Sequence, residues 1–339
     1  MTSGQWVLLA AAALAAWILT PLVRRYAVAR GIADSPGPRR SHDRVVPRGG
    51  GIAIAVAALG CAAAGAASAG NTVVFICGAV IVVMLGWLDD RKSLPAGRRL
   101  LVQAAVGVGA VALIGPVTAI SVGEFEIAGT WIWSALAIPA LIWLMNLFNF
   151  MDGADGLAAS QCVISCSVFA TIFVVAGEFE LAWIAAALAA STTGFLVWNW
   201  PPASVFLGDA GSLLLGWAAG VLALGGVVTG AMSVWLAFIV VSPFVIDATA
   251  TLVWRLVRGE RWYTPHRDHA YQYLLRRGWS HREVLLSWIG LNVVLVAPAA
   301  AVVTWRPTLD WMIATVVGLI LSGIWCRVHF LHPKENPRT

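Results

Sequence analysis

The chain has 339 residues, of which 60% are hydrophobic and only 12% are charged, and it contains 18 Trp. Soluble proteins average about 45–50% apolar and about 25% charged residues, so this composition excludes an ordinary soluble domain. The net charge of +5 is carried by the segments between apolar runs and indicates anionic lipid or phosphate partners rather than nucleic acid. We expect a polytopic membrane protein.

Eleven apolar runs recur along the chain, and each approaches the roughly 20 residues that a helix needs to cross a bilayer. They cover residues 6–23, 51–69, 73–88, 100–114, 131–148, 157–176, 181–198, 213–228, 234–256, 284–303 and 311–325. Between the fourth and fifth runs, polar and apolar residues alternate over Ser121–Ile127, which is typical of a small external hairpin. The sequence therefore predicts an all-α polytopic membrane protein of about eleven transmembrane helices, organised as a single domain over residues 1–339.

The basic residues predict the orientation of these helices. With the amino terminus outside, 21 of the 22 Lys and Arg residues fall on the cytoplasmic side, and only Arg306 lies outside. A missed or an extra helix would scramble this division. The arginines follow the first run rather than precede it, so we expect this run to remain as a helix and not to be cleaved as a signal.

The fifth run ends abruptly in Asn146–Leu157, a segment that carries two asparagines, two aspartates and two glycines. Helical spacing places Asn146, Asn149 and Asp152 roughly on one face. Hard oxygen ligands beside glycines, where a ligand can approach closely, suit Mg²⁺ and a diphosphate. A polar helix cap is an equally good interpretation of this segment alone.

Paired or isolated acids also end or begin other predicted spans on the cytoplasmic side. Asp89 and Asp90 end the third run, where they either pair with Arg91 and Lys92 or belong to a metal or phosphate site. The loop Phe206–Ser212 places Asp209 between two glycines and contains no Lys or Arg. Uncompensated acid at a negative membrane surface favours metal binding at Asp209.

Three further features of the predicted cytoplasmic side have two interpretations each. Pro47–Gly51 contains Arg-Gly-Gly-Gly at a helix start and either presents backbone N–H groups to an anion or forms a hinge. Asp247 lies within the ninth run, as a functional acid or as the partner of Arg255. In the last large loop, His266, Arg267 and His269 resemble a phosphate clamp, and zinc is the less favoured alternative.

Taken together, these motifs resemble, in order, spacing and membrane side, the polyprenyl-phosphate N-acetylhexosamine-1-phosphate transferase family, which is glycosyltransferase family 4. The likeness extends over nearly the whole chain. Arg-Gly-Gly-Gly and His-Arg-x-His-Ala-Tyr-Gln are similar to the bacterial branch that primes O-antigen and related surface polysaccharides. The histidine-rich signature of the enzymes that transfer phospho-muramoyl-pentapeptide is not matched by Pro265–His269, so that substrate is disfavoured.

The resemblance implies that undecaprenyl phosphate attacks the β-phosphorus of a UDP-N-acetylamino sugar, releasing UMP. It implies Mg²⁺, or Mn²⁺ in its place, held by Asn149 and Asp209, with Phe206 stacked on uracil and Asp155 as its hydrogen-bond partner. The remaining expected groups fall into a catalytic set and a substrate-binding set. The catalytic set is Asp89, Asp90, Asp152, His266 and Arg267, and the substrate-binding set adds Arg48, Gly50, His269 and Gln272.

The lipid phosphate needs no strong base, because the second pKa of a phosphate monoester lies near about 6. We therefore expect Asp89 and Asp90 to orient groups or to contact the metal indirectly. The resemblance further implies a protein of the bacterial inner membrane with its active site on the cytoplasmic face. Its partners would be membrane lipids and not nucleic acid, and a homodimer is possible. The competing class is a transporter or flippase, which would place its polar groups near the bilayer midplane.

Sugar selection is the least determined property. The remaining loop of sufficient size is Arg258–Arg282, which offers aromatic and amide groups for an acetamido substituent or a 6-deoxy methyl group. These groups are Trp262, Tyr263, Tyr271 and Gln272. The sequence of the histidine loop most resembles the branch that uses 6-deoxy donors. This ranks UDP-N-acetylfucosamine and UDP-N-acetylquinovosamine slightly ahead of UDP-N-acetylglucosamine as donors.

The topology is open to a direct test. A reporter that is active only outside the cytoplasm, fused after Thr339, is expected to be silent, because the division of basic residues puts the carboxyl terminus inside. Fusions in the loop that contains Arg306 provide the positive control. Strong activity of the fusion at Thr339 would show that the number of spans is wrong by one.

Overall fold

The structure is a computed structural model that describes residues 2–34, 45–65, 70–261 and 266–330. Thirteen α-helices and two short hairpin-like strand pairs follow one another in these ranges. The helices are α1 (Ser3–Ala29), α2 (Gly51–Ala64), α3 (Gly70–Lys92), α4 (Ala96–Ile114), α5 (Thr130–Phe150), α6 (Leu157–Ala176), α7 (Phe179–Asn199), α8 (Gly208–Val228), α9 (Val234–Val257), α10 (Ala270–Arg276), α11 (His281–Leu291), α12 (Ala297–Trp305) and α13 (Asp310–Phe330). The strands are β1 (Ala33–Asp34), β2 (Val46–Pro47), β3 (Ala119–Val122) and β4 (Phe125–Ala128).

Each predicted apolar run forms a helix, which confirms the all-α polytopic class. Within the described residues, 10 helical segments are long and apolar enough to cross a membrane. One of them, His281–Trp305, joins α11 to α12 through the π-helical turn Asn292–Val296. The remaining run, the second, corresponds to the shorter α2, which has 14 residues, and the end of that run, residues 66–69, lies outside the described part of the chain.

Helix α8 is mostly buried in the bundle, and it packs against both α3 and α5. Small residues permit this close packing. A side-chain carbon at Gly216 would lie 2.5 Å from the carbonyl oxygen of Leu144, and one at Gly78 would lie 2.0 Å from the Trp217 ring. Because α3 and α5 end where α8 begins, their terminal side chains meet at one end of the bundle.

The opposite end carries the predicted hairpin. Strands β3 and β4 pair antiparallel with Ile120 opposite Ile127, as the alternation predicts. The indole N–H of Trp235 donates to the carbonyl oxygen of Ser121 over 2.6 Å and attaches the hairpin to α9. The motifs that carry polar chemistry lie at the other end, which we call the site end. It is defined by the carboxyl ends of α3 and α5 and the amino end of α8.

The close approach of α5 and α8 generates a stability prediction. Gly216→Ala introduces a methyl group against the α5 backbone, and overpacking of this kind costs about 1–3 kcal/mol. Gly323→Ala in α13 is the matched control, because no atom lies within 4 Å of the new carbon and alanine favours a helix by up to about 1 kcal/mol. Thermal unfolding in detergent should show a lower midpoint for Gly216→Ala only. Equal midpoints for the two variants would contradict this packing.

Candidate active site

Asp90 and Asp209 are joined through the backbone at the amino end of α8. The two carboxylate oxygens of Asp90 accept the N–H groups of Asp209 over 3.1 Å and of Ala210 over 3.4 Å. The first N–H groups of a helix have no partner within it, so a carboxylate from α3 completes this helix end. Asp90 thereby fixes the backbone at Asp209, and its expected orienting role in the reaction stays a prediction.

Asn149 joins α5 to the same point. Its amide nitrogen donates to Oδ1 of Asp209 over 2.9 Å and to the hydroxyl of Ser212 over 3.0 Å. The two residues expected to hold a metal are therefore neighbours. In this arrangement the amide nitrogen of Asn149, not its oxygen, faces Asp209, so a metal bound by both residues requires rotation of the amide group.

Asp89 has a different environment from Asp90. Its Oδ1 accepts the N–H of Leu94 over 2.6 Å, and its Oδ2 pairs with the guanidinium of Arg99 at 2.7 Å. These contacts close the turn between α3 and α4. Asp89 is thus part of the turn, and its side chain also contacts that of Asp209, so its expected place in the catalytic set stays a prediction. The expected neighbours Arg91 and Lys92 are not its partners in the described contacts.

The segment Arg48–Gly51 pairs with the segment before α8. The N–H groups of Gly50 and Gly51 donate to the carbonyl oxygens of Phe206 and Leu207, each over 2.9 Å. The N–H of Gly50 is therefore not offered to an anion, which corrects that expectation. This glycine is required by packing instead, because a side-chain carbon there would lie 2.3 Å from the Phe195 ring.

The same pairing brings Arg48 to the acids. A guanidinium nitrogen of Arg48 lies 3.9 Å from Oδ1 of Asp90. Gly208 completes the junction, since its φ of +77° suits glycine, and a side-chain carbon there would lie 2.8 Å from Asp90 Oδ2. Phe206 stays partly exposed beside this junction.

The turn Met151–Gly156 carries Asp152 and Asp155 into the same region. Burial raises the pKa of Asp152 well above its usual value, the nearby charges of Asp209 and Asp90 raise it further, and Arg48 opposes the shift. Asp155 is held separately, because its Oδ2 accepts the N–H of Ala203 over 2.9 Å. Its Oδ1 lies 3.1 Å from Nδ1 of His281.

Asn146 does not join this group. Its amide donates to the side-chain oxygen of Gln103 over 2.8 Å and so faces α4. Helical spacing placed Asn146 on the face of Asn149, but the partner on α4 decides its direction.

The charges of this region suit a divalent cation. Three carboxylates, on Asp90, Asp152 and Asp209, lie near the guanidinium of Arg48, and the pKa of Asp152 is raised mainly by burial and further by the charges of Asp209 and Asp90. In the described ranges, no group of three or more His, Cys, Asp or Glu residues has a metal-binding arrangement. A cation here would therefore take further oxygens from Asn149, from water or from a phosphate, as Mg²⁺ commonly does.

Asp268 organises the last loop. Its carboxylate pairs with Arg255, and Arg276 and His266 lie 3.9 Å and 3.8 Å from it. Its carbonyl oxygen lies 2.8 Å from Nε2 of His329 on α13. Arg255 is thus a partner of Asp268 and not of Asp247, which excludes that interpretation of Asp247.

Asp247 serves as a cap for α10. Its Oδ1 accepts the N–H of Ala270 over 2.8 Å, so this acid supports the last loop from within α9.

His269 cannot supply positive charge to a phosphate clamp. It is only 3% exposed, and its ring stacks between Phe150 and Tyr271. Burial and the neighbouring His266 lower its pKa to about 3, so the ring is neutral at pH 7. Burial also lowers the pKa of His266. Of the three expected members of the clamp, Arg267 is the cation.

Gln272 and Tyr271 also have internal partners. The side-chain oxygen of Gln272 accepts the N–H of His269 over 3.3 Å at the start of α10. Tyr271 is fully buried, and its hydroxyl donates to the carbonyl oxygen of Phe150 over 2.9 Å. Full burial of Tyr271 corrects the expectation that it contacts the sugar, whereas Gln272 is partly exposed and its expected contact stays a prediction. The other two expected groups, Trp262 and Tyr263, lie outside the described residues.

The chain is similar to known proteins over the helices that carry Asp90, Asn149 and Asp209. The model of glycosyl transferase family 4 matches residues 72–227. A probable undecaprenyl-phosphate N-acetylglucosaminyl 1-phosphate transferase of Bacillus subtilis is 32% identical over 79% of this chain and 76% of its own length. The chain belongs to glycosyl transferase family 4. This confirms the family resemblance, and with the helices it makes the protein a multi-pass membrane transferase.

Two further relatives of the family show its range. Decaprenyl-phosphate N-acetylglucosaminephosphotransferase of Mycobacterium tuberculosis is 28% identical over 96% of this chain and 89% of its own length. A phospho-N-acetylmuramoyl-pentapeptide-transferase of Synechococcus is 30% identical over 84% of this chain and 87% of its own length.

Several residues of the site were not singled out by sequence. Arg99 pairs with Asp89, His281 contacts Asp155, and Asp268 organises the last loop. Of these three residues, only Asp268 could have been recognised from sequence, because it is an acid between Arg267 and His269 in a basic loop. The partners Arg99 and His281 are defined by folding alone.

Asp152 generates a prediction on stability and pH. A carboxyl group with a raised pKa in the folded state makes the fold less stable as pH rises from the unfolded value of 3.8 through the raised value. Without divalent cations, Asp152→Asn should therefore unfold at a higher temperature than the original protein at pH 7, and the difference should vanish below about pH 3.8. The variant should also lose turnover. A lower unfolding temperature at pH 7 would contradict a raised pKa of Asp152 in the folded protein.

Proposed function

We propose that this family 4 member transfers an N-acetylamino-sugar 1-phosphate from a UDP-sugar to undecaprenyl phosphate and releases UMP. The observation that carries the proposal is the convergence of Asp90, Asp152 and Asp209 with Arg48 and Asn149, which suits a diphosphate together with a cation. The names of the relatives supply the chemistry, since two of those compared act on N-acetylglucosamine 1-phosphate and a polyprenyl phosphate. The site lies on the cytoplasmic face of the bacterial inner membrane in this proposal.

Phosphoryl transfer depends mainly on positioning and on neutralising charge. A Mg²⁺ ion, or Mn²⁺, would be held by Asp209 and Asn149 and would supply positive charge to the diphosphate. Asp90 keeps Asp209 in place through the first N–H groups of α8. Arg48 and Arg267 provide the protein's own cations for phosphate oxygens.

The nucleotide would bind beside this group. Phe206 presents a partly exposed ring to uracil, and Asp155 is fixed nearby by Ala203 and His281. The lipid phosphate is already mostly dianionic at neutral pH, because its second pKa is near about 6. Asp90, whose oxygens accept two N–H groups, therefore orients Asp209 and takes no proton from the acceptor.

For the donor we propose a UDP-2-acetamido sugar without a peptide. The names of two relatives and the internal contacts of Tyr271 and Gln272 move UDP-N-acetylglucosamine ahead of the 6-deoxy donors as the first to test. A role in priming O-antigen or a related surface polysaccharide remains our proposal from the Arg-Gly-Gly-Gly and His-Arg-x-His-Ala-Tyr-Gln motifs.

The direct test is release of UMP by purified protein from undecaprenyl phosphate and a panel of donors. The panel contains UDP-N-acetylglucosamine, UDP-N-acetylfucosamine, UDP-N-acetylquinovosamine and UDP-N-acetylmuramoyl-pentapeptide. Release of UMP with one of the first three, and loss of release on removal of divalent cations, is the expected result. Turnover of the muramoyl-pentapeptide donor alone would overturn the donor assignment.

Asp209 provides the corresponding variant. Asp209→Asn should lower turnover by at least about 10²-fold at any Mg²⁺ concentration, because a charged ligand and its stabilisation of transferred charge are both removed. Asp310→Asn is the matched control, since Asp310 is a buried acid at the start of α13 and is bonded to the N–H of Trp311. Near-normal turnover of Asp209→Asn would remove this residue from the metal site.

The donor loop is tested by exchange. Replacing residues 258–282 with the corresponding loop of a relative that uses another UDP-sugar should change donor preference and keep undecaprenyl phosphate as acceptor. Retention of Asp268, Tyr271 and their partners in the chimera preserves the contacts to α9 and α5. An active chimera with unchanged preference would place sugar selection in another loop.

A further inference from the structure

Tyr271 connects the last loop to the turn that carries Asp152. Its hydroxyl donates to the carbonyl oxygen of Phe150, the last residue of α5. The final carbonyl groups of a helix have no N–H partner within that helix, so they need a partner from elsewhere. For α5 that partner comes from α10, at a point immediately before the Met151–Gly156 turn.

The hydroxyl end of Tyr271 also lies close to Gly153 in the turn. A side-chain carbon built at Gly153 would lie 2.2 Å from the hydroxyl oxygen of Tyr271, and 3.1 Å and 3.2 Å from two ring carbons. The hydroxyl group is the main obstacle to any side chain at position 153. The two ring carbons would have to move by only a few tenths of an ångström. Glycine next to Asp152 and tyrosine in α10 form a matched pair.

The tyrosine is itself held firmly. It is completely buried, and its ring lies parallel to that of His269 at 6.0 Å, with an interplanar angle of 8°. The ring of His269 is in turn stacked near Phe150 at 6.3 Å. Asp247 fixes the start of α10 through the N–H of Ala270. A chain of contacts thus leads from α9 through α10 to the end of α5.

We infer that Tyr271 is a positioning residue for the transfer reaction: through Phe150 and Gly153 it sets the place of Asp152 relative to Asp209 and Arg48. This inference rests on the proposed function. Asp155 is held independently by Ala203 and His281, so the contact from Tyr271 acts on Asp152 more than on the expected nucleotide partner. The effect should appear in kcat rather than in the KM for the UDP-sugar.

Tyr271→Phe removes the hydroxyl and keeps the ring. We expect kcat to fall about tenfold, equivalent to about 1.4 kcal/mol, with the KM for the UDP-sugar within about twofold of the original. Tyr273→Phe is the matched control in the same helix, because the Tyr273 ring packs on His329 at 4.5 Å, away from the turn. Unchanged kcat in Tyr271→Phe, or an equal fall in both variants, would overturn the inference.

The Gly153 contact gives a sharper test. Gly153→Ala should lower kcat by more than about tenfold, because its methyl group meets the Tyr271 hydroxyl. Adding Tyr271→Phe to Gly153→Ala should then raise kcat, since the closest atom is removed. The same substitution would lower kcat in one background and raise it in the other. Additive losses in the double variant would show that the two residues act separately.

Hydrogen exchange separates this inference from the proposed function. Backbone amides of residues 151–156 should exchange faster in Tyr271→Phe than in the original protein and should not change in Tyr273→Phe. This readout requires no turnover. If the original protein releases no UMP from any donor, the proposed function fails while exchange still decides the inference, and unchanged exchange in Tyr271→Phe overturns it.

Discussion

The site depends on one interaction, the capping of α8 by the carboxylate of Asp90. This contact joins α3 to α8 and sets the direction of Asp209 in the first helical turn. The amino end of a helix attracts negative charge, which reduces the cost of burying the Asp90 carboxylate. Gly208 permits the approach, because any side chain there would meet Asp90. The remaining groups are arranged around this junction.

The arginines near the site are not equivalent. Arg99 is bound to Asp89, and Arg255 is bound to Asp268 and to Glu260 at 2.9 Å. These pairs close a turn and hold the last loop, so the charges of Arg99 and Arg255 are neutralised within the protein. Arg48 lies beside the clustered acids, and Arg267 is the arginine of the expected phosphate clamp. The excess of carboxylate near Asp152 thus favours a protein that works with a cation and an anionic substrate together.

Sequence was sufficient for ten of the eleven predicted spans within the described residues and for the hairpin, because hydropathy and alternation depend on local composition. Sequence could not predict the orientation of a side chain or backbone group whose hydrogen-bond partner lies far away along the chain. Asn146 shares a helical face with Asn149 but bonds to Gln103, and the N–H of Gly50 bonds to Phe206. His269 matched a phosphate-binding pattern, yet its burial among aromatic rings leaves it neutral. These orientations and the neutrality of His269 depend on how separate helices pack, which cannot be inferred from one motif alone.

The measurement that tests the account most directly is binding of Mn²⁺, followed by its electron paramagnetic resonance signal, to purified protein in the presence of UDP. The account predicts saturable binding to the original protein, loss of that binding in Asp209→Asn, and weaker binding in Asp90→Asn, because Asp90 only directs Asp209. Asp310→Asn should bind Mn²⁺ like the original protein. Equal Mn²⁺ affinity in all four proteins would contradict a cation site organised by Asp90 and Asp209.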